Sequence, residues 1–426
     1  MTERLGTTHD RRQARVSGSS PVLGPAKAPV QDAKGAAEIT PFPVPTLETE
    51  WALLLAGVSV NFCPETVRRL CTLMQGHVDW PALVHLADYH GVASLLYQNL
   101  VRMGDSIPDQ LLLPLRQQHE NNVRKCLFLT RELIRVLDFL QPMNIEILPY
   151  KGVVLSQAVY GDVASRQSGD IDVLVRTSDL PRIKAAIREL GYTPHEIGFE
   201  RIERAYVASG YEYTFDHPAA PNLLELQWAM QPSFYSIDFD MDAVFERAVT
   251  AGVAGRSMKT LSPEDLLLML SVHAAKHVWG RLIWLCDIAQ IATRQNLDWN
   301  WIESQAKALG IERILGVSFL LAKSLLQAAI PPSWRSRLLA DDAVKSLADE
   351  IRDLMVRSTP YNVESVSYFG LMMRLRERRV DRLRFLRRLI FTPGPGEWEA
   401  IRLPPLLFPL YPLVRLGRLA ARLGRV

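Results

Sequence analysis

The residues with the types and spacing for chemistry lie between Tyr150 and Trp228. Gly169-Asp170-Ile171-Asp172-Val173-Leu174-Val175 joins two carboxylates to an apolar run, and the run reads as a buried strand. Side chains two apart on a strand share a face, so Asp170 and Asp172 project together with their Cα atoms about 6–7 Å apart. Carboxylates held that close repel one another unless a cation sits between them. A hard divalent ion, Mg2+ (or Mn2+), prefers oxygen ligands and leaves positions open for phosphate. A third acid, Glu225, lies in Leu223-Leu224-Glu225-Leu226-Gln227-Trp228, a second strand candidate with Leu224 and Leu226 on the opposite side. If the two strands pair, Asp170, Asp172 and Glu225 converge as metal ligands and catalytic carboxylates.

Lys151-Gly152 supplies the other half of such a site. Where a strand ends and a helix begins, backbone N–H groups point outward toward an anion, and a glycine there allows close approach. Lys151 or Arg166 offsets the charge of a triphosphate. Each piece has a plainer reading: a solvated Asp-x-Asp turn, an ordinary strand-to-helix turn, a charge on a strand edge. Their order within one segment favours the site.

The elements that must position these residues are short. Ile145 to Leu148 reads as a strand, Val153 to Val159 as a helix and Ile171 to Val175 as a strand. Thr177-Ser178-Asp179 offers capping side chains to a helix running through Leu190 and closed by Gly191. Tyr211 to Phe215 and Leu223 to Trp228 are further strands. Helical patterning flanks this unit. Leu127, Leu129, Leu133, Ile134, Leu137 and Leu140 trace one face of a long helix that Pro142 stops. Ser262-Pro263-Glu264-Asp265 starts another, and helical patterning runs on to about Leu389. The expected fold is α+β, a small mixed-sheet core embedded between helical regions. Its expected segments are a disordered leader at 1–46, helices at 47–141, the α/β core at 142–250, helices at 251–370 and a basic, Pro-containing tail at 371–426.

Composition narrows the function. The 49 Lys and Arg against 46 Asp and Glu leave a net charge of +3, too balanced for nucleic acid to be the expected partner. Four cysteines without a Cys-x-x-Cys pair give neither a disulfide framework nor a cysteine zinc site, which suits a reduced cytoplasm. No uncharged apolar run reaches the 18 or so residues of a membrane span.

With these motifs in order, the chain resembles the uncharacterised nucleotidyltransferase family of the DNA polymerase beta superfamily. The resemblance rests on Lys151-Gly152, Tyr160, Arg166, Asp170 to Val175, Gly191-Tyr192 and Glu225-Leu226-Gln227-Trp228. It continues through Leu261 to Leu267, His273-Ala274-Ala275-Lys276-His277 and Trp284-Leu285-Cys286-Asp287-Ile288. It implies that Asp170, Asp172 and Glu225 bind metal and that an NMP group passes from an NTP to an unidentified small-molecule, sugar or peptide acceptor. Similar members accompany bacterial clusters for exopolysaccharides or lasso peptides. Two departures stand out: Glu225 replaces the family's usual Asp, and Gln227 replaces its His.

His273, Lys276 and His277 share a helix face. They line the nucleotide or acceptor side of the cleft, or pin the helices to the core. A structural metal built from the histidines and Asp287 is the sharper alternative, and Asp287 could instead orient one of them. From Arg374 to Arg388 eight arginines face two acids, with Leu375, Leu383, Leu386 and Ile390 among them. A helix that packs these leucines inward is the favoured reading. The other is a surface for a partner protein or for the inner membrane face. The function of a different class is therefore a non-catalytic scaffold of a membrane-associated biosynthetic complex.

Overall fold

The computed structural model describes residues 48–423, apart from 105–106, 196–202, 295, 358–364 and 402. The expected leader therefore lies outside the described residues. Short helices at Glu48–Gly57, Pro64–Met74, Trp80–Tyr89 and Ala93–Val101 lead into one long helix, Asp109–Leu140. Its buried side chains, among them Leu111, Leu115, Asn122, Cys126, Leu129, Leu133, Val136 and Leu140, recur at helical spacing. At 32 residues it spans about 48 Å, enough to run through both apolar cores. Leu111 and Leu115 pack with the N- and C-terminal helices, while Cys126 to Leu140 pack under the sheet. Pro142 lies in the 3-10 turn that ends it.

The sheet has five strands in the order β1-β2-β5-β4-β3, with β1 at Ile147–Pro149, β2 at Ile171–Val175, β3 at Thr193–Pro194, β4 at Glu212–His217 and β5 at Ala220–Gln227. β2 and β5 run parallel and the other pairings are antiparallel. The chain is therefore α+β with a mixed sheet, as its patterning indicates. Ile171, Val173, Val175, Tyr213, Phe215, Leu224 and Leu226 fill the core on one face. By the two-residue alternation, Asp172, Glu212, Glu225 and Gln227 share the other.

Three local features differ from expectation. No side chain caps the Leu180–Glu189 helix; Thr177–Asp179 forms a 3-10 turn instead. A hairpin of β6 (Val249–Val253) and β7 (Arg256–Thr260) follows the sheet, and Thr260 Oγ1 donates to the Pro149 carbonyl at 2.7 Å, fixing it beside β1. The arginine-rich stretch breaks between helices Val366–Arg374 and Arg379–Phe391. The second buries Phe385 and Leu389 and leaves Leu383 and Leu386 exposed, against expectation, while Leu375 is buried as expected. Ser262 does cap the Pro263–Lys276 helix, accepting from the Asp265 N–H at 3.1 Å.

Candidate active site

The register of the parallel pair decides how the acids meet. Asp172 on β2 lies directly opposite Glu225 on β5, so their side chains leave the same face of adjacent strands. Asp170 immediately precedes β2. Burial, with the charges of Asp172 and Glu225, raises its carboxyl to about 7. Burial and Glu225 likewise raise Asp172, against the pull of Lys151. Mutual repulsion of this kind needs proximity, so the three acids form one electrostatic unit.

Lys151 closes one side of it. Its Nζ lies 3.0 Å from Asp172 Oδ1. Burial opposes its charge, but Asp172, Tyr150 and Glu225 outweigh that and hold the ammonium well above its usual range. Gly152 begins the Gly152–Tyr160 helix at φ +55°, and a Cβ there would lie 3.2 Å from the Asp170 carbonyl oxygen. Only glycine lets this helix start against the mouth of β2. Ser168 lies alongside, its Oγ 3.9 Å from the same Cβ position.

Tyr150 and Glu212 were not singled out from the sequence, and Gln227 was marked there only as a departure from the family pattern. Gln227 Nε2 approaches Glu225 Oε2 at 2.9 Å, Asp172 Oδ1 at 3.1 Å and Glu212 Oε2 at 3.3 Å. Tyr150 donates its hydroxyl proton to Gln227 Oε1. The buried Glu212 is thus a fourth carboxylate, brought in because it pairs with Gln227 across β4 and β5.

Arg166 makes its hydrogen bonds away from this cluster, though its charge still acts to lower Asp170 and Asp172. It is buried and pairs with the fully buried Asp287 at 2.9 Å, while Tyr160 donates to the other Asp287 oxygen at 2.8 Å. Asp287 therefore holds neither histidine, and Arg166 acts as a tie between the core and the Leu282–Ala292 helix. The loop carrying Arg166, Ser168 and Asp170 is also gripped by the long helix: Asn122 donates to the Ala164 carbonyl at 2.8 Å and lies 3.2 Å from that of Arg166.

His273, His277 and Trp284 form a ring cluster with centroids 4.8–5.4 Å apart. Burial and then the charge of Lys151 hold His273 well below the usual histidine range, so it is neutral and within electrostatic reach of the site. Lys276 donates to the Tyr211 hydroxyl at 3.1 Å and lies over that ring.

A family model described as an uncharacterised nucleotidyltransferase matches residues 76–327, more than half of the chain. The chain belongs to that family. The nucleotidyltransferase match extends beyond the sheet on both sides and takes in the helices from Trp80–Tyr89 to Glu312–Leu326. Comparison with curated proteins and with solved structures finds no match.

Oxygen donors alone suit a hard divalent cation. In the arrangement seen, however, Lys151 and Gln227 engage these oxygens. Among the described residues no three His, Cys, Asp or Glu side chains are gathered so as to hold a metal ion. The residue types fit a magnesium site. In the arrangement seen, the Lys151 ammonium is the counterion of Asp172.

Proposed function

We propose that this nucleotidyltransferase-family protein is of the polymerase beta type and moves an NMP group from an NTP onto a small-molecule, sugar or peptide acceptor. The observation that carries the reading is the pairing of Asp172 with Glu225 beside a lysine and an open helix N-terminus. Asp170, Asp172 and Glu225 would hold Mg2+ (or Mn2+), which when bound supplies charge stabilisation to the phosphates and lowers the pKa of an acceptor hydroxyl. Lys151, released from Asp172, would turn to the triphosphate. The Gly152 N–H and the Ser168 hydroxyl would receive phosphate oxygens. His273, being neutral, can accept a hydrogen bond on the acceptor side. The reaction so proposed is cytoplasmic, where NTPs are available, and its acceptor would come from a biosynthetic cluster.

A non-catalytic scaffold is the second reading. What favours it is that Lys151 and Gln227 already satisfy Asp172 and Glu225. Calorimetry with each NTP, with and without Mg2+, separates the two, together with labelling of a native lysate by each radioactive NTP. The enzyme reading expects Mg2+-dependent binding and an adduct, both lost in the Asp170→Ala, Asp172→Ala double variant. Labelling by that variant at the parent rate would overturn it.

A further inference from the structure

The Arg379–Phe391 helix turns an unusual surface outward. Inward it sets Phe385 and Leu389 in the core and Asp381, its one acid, which is buried beneath Arg378. Outward, Val380, Leu383, Leu386 and Phe391 are exposed, Leu383 by 67%. Arg379, Arg384 and Arg387 are exposed among them. Val380, Arg384, Arg387 and Phe391 follow the four-three-four spacing of one helix face. Arg388, by contrast, is committed to Asp238, and among the described residues Arg379 and Arg387 form no ion pair.

A second apolar row adjoins this helix. Leu407, Leu410, Leu413 and Leu416 recur every third residue through the 3-10 turn Pro405–Leu410 and the helix Tyr411–Leu423, and all four are exposed. That helix packs on Arg379–Phe391, with Arg415 donating to the Leu389 carbonyl.

Folding gains nothing from holding so many aliphatic chains in water beside unneutralised guanidinium groups, and a patch of this kind marks a contact surface. We propose that the outer face of Arg379–Phe391, with the leucine row beside it, rests on an anionic membrane surface. Charge complementarity selects this occupant. Leucine and phenylalanine enter the acyl boundary, while the arginine stems lie along it and place their charges among lipid phosphates. Among the described residues no helix is long and apolar enough to cross a membrane, so the contact is peripheral. It is independent of whether the site catalyses transfer.

The test is co-sedimentation of the full chain with vesicles of phosphatidylcholine alone, or of phosphatidylcholine with phosphatidylglycerol. The anionic vesicles should retain the protein, less so as salt rises. Two double variants, Arg379→Glu with Arg387→Glu and Leu383→Glu with Phe391→Glu, should each lower partitioning by about 10-fold or more. Their side chains are exposed, so an unchanged melting temperature verifies folding. Equal retention on neutral vesicles, or full retention of either variant, would refute the proposal. So would failure to bind any vesicle alongside binding to soluble polyglutamate, which would point to an acidic protein partner.

Discussion

Gln227 carries the local argument at the scale of single residues. Its amide nitrogen has two hydrogens but lies within 3.3 Å of three carboxylate oxygens. One acid must therefore find its proton or cation elsewhere. Gln227→Leu removes the shared donor, and we expect a loss of about 1–3 kcal/mol in urea unfolding at neutral pH. If the acids then take a metal, added Mg2+ should restore part of that loss; a variant that Mg2+ does not stabilise would speak against metal binding there. A second residue sets an acid limit. His90 is buried, accepts from the Leu282 N–H through Nδ1, and is held down to about 3 by burial and then by Arg281. Between its ordinary 6.5 and about 3, the unfolded chain binds a proton that the folded one refuses. Stability should therefore fall as pH drops through that window, by at most about 1.4 kcal/mol per pH unit. Urea midpoints against pH should show a component that His90→Gln flattens. Asp172 and Glu225 were conspicuous in the sequence as charges inside apolar strands, and Asp170 as the acid just ahead of one. Glu212 and the contacts of Gln227 were not, since they arise only from cross-strand register. The fate of Arg166 was hidden because its partner lies 121 residues away.

Among the elements, the junction between the Gly152–Tyr160 helix and β2 is decisive, because there a backbone conformation and a close approach coincide. Gly152→Ala would force a left-handed φ on alanine and press its Cβ toward the Asp170 carbonyl. We expect about 1–3 kcal/mol of lost stability and weaker Mg-ATP binding by calorimetry, since relief of the contact moves the helix start away from Asp170. Gly161→Ala is the control. At the far end of the same helix it has φ +80° but nothing within 4 Å of a new Cβ, so it should cost stability while leaving nucleotide affinity intact. Equal loss of affinity in both would mean that the junction has no special role. Sequence periodicity located this helix, β2 and β5 because their apolar runs are sharply bounded. The β6–β7 hairpin escaped it for a physical reason. Val249, Thr250, Gly252, Ser257 and Lys259 are exposed, so little alternation marks the strands, and the turn relies on Ala254 at φ +49° ahead of Gly255 where Asn or Gly is usual.

Across the whole molecule there are two apolar clusters, a mainly helical one that also takes Leu148 and Leu174 from one face of the sheet and one that fills the other face, and the Arg166–Asp287 pair is a polar tie between the core and the helices. Both partners are buried, so neither charge can fall back on water. Removing one strands the other, at about 3–5 kcal/mol, whereas replacing both with apolar residues of similar volume is often neutral. Asp287→Leu and Arg166→Met should each destabilise strongly, while the double variant that combines them should lose less than either. Unfolding of all four proteins closes the cycle, and costs that simply add would show that the two groups are not coupled. Because the same loop carries Ser168 and Asp170, the pair has a second consequence. The apolar double variant keeps the contact but loses the directed hydrogen bonds from Arg166 and Tyr160 to Asp287. If those bonds orient the loop, that variant should regain stability without regaining parent Mg-NTP affinity, and recovery of both together would reduce the ion pair to mere packing.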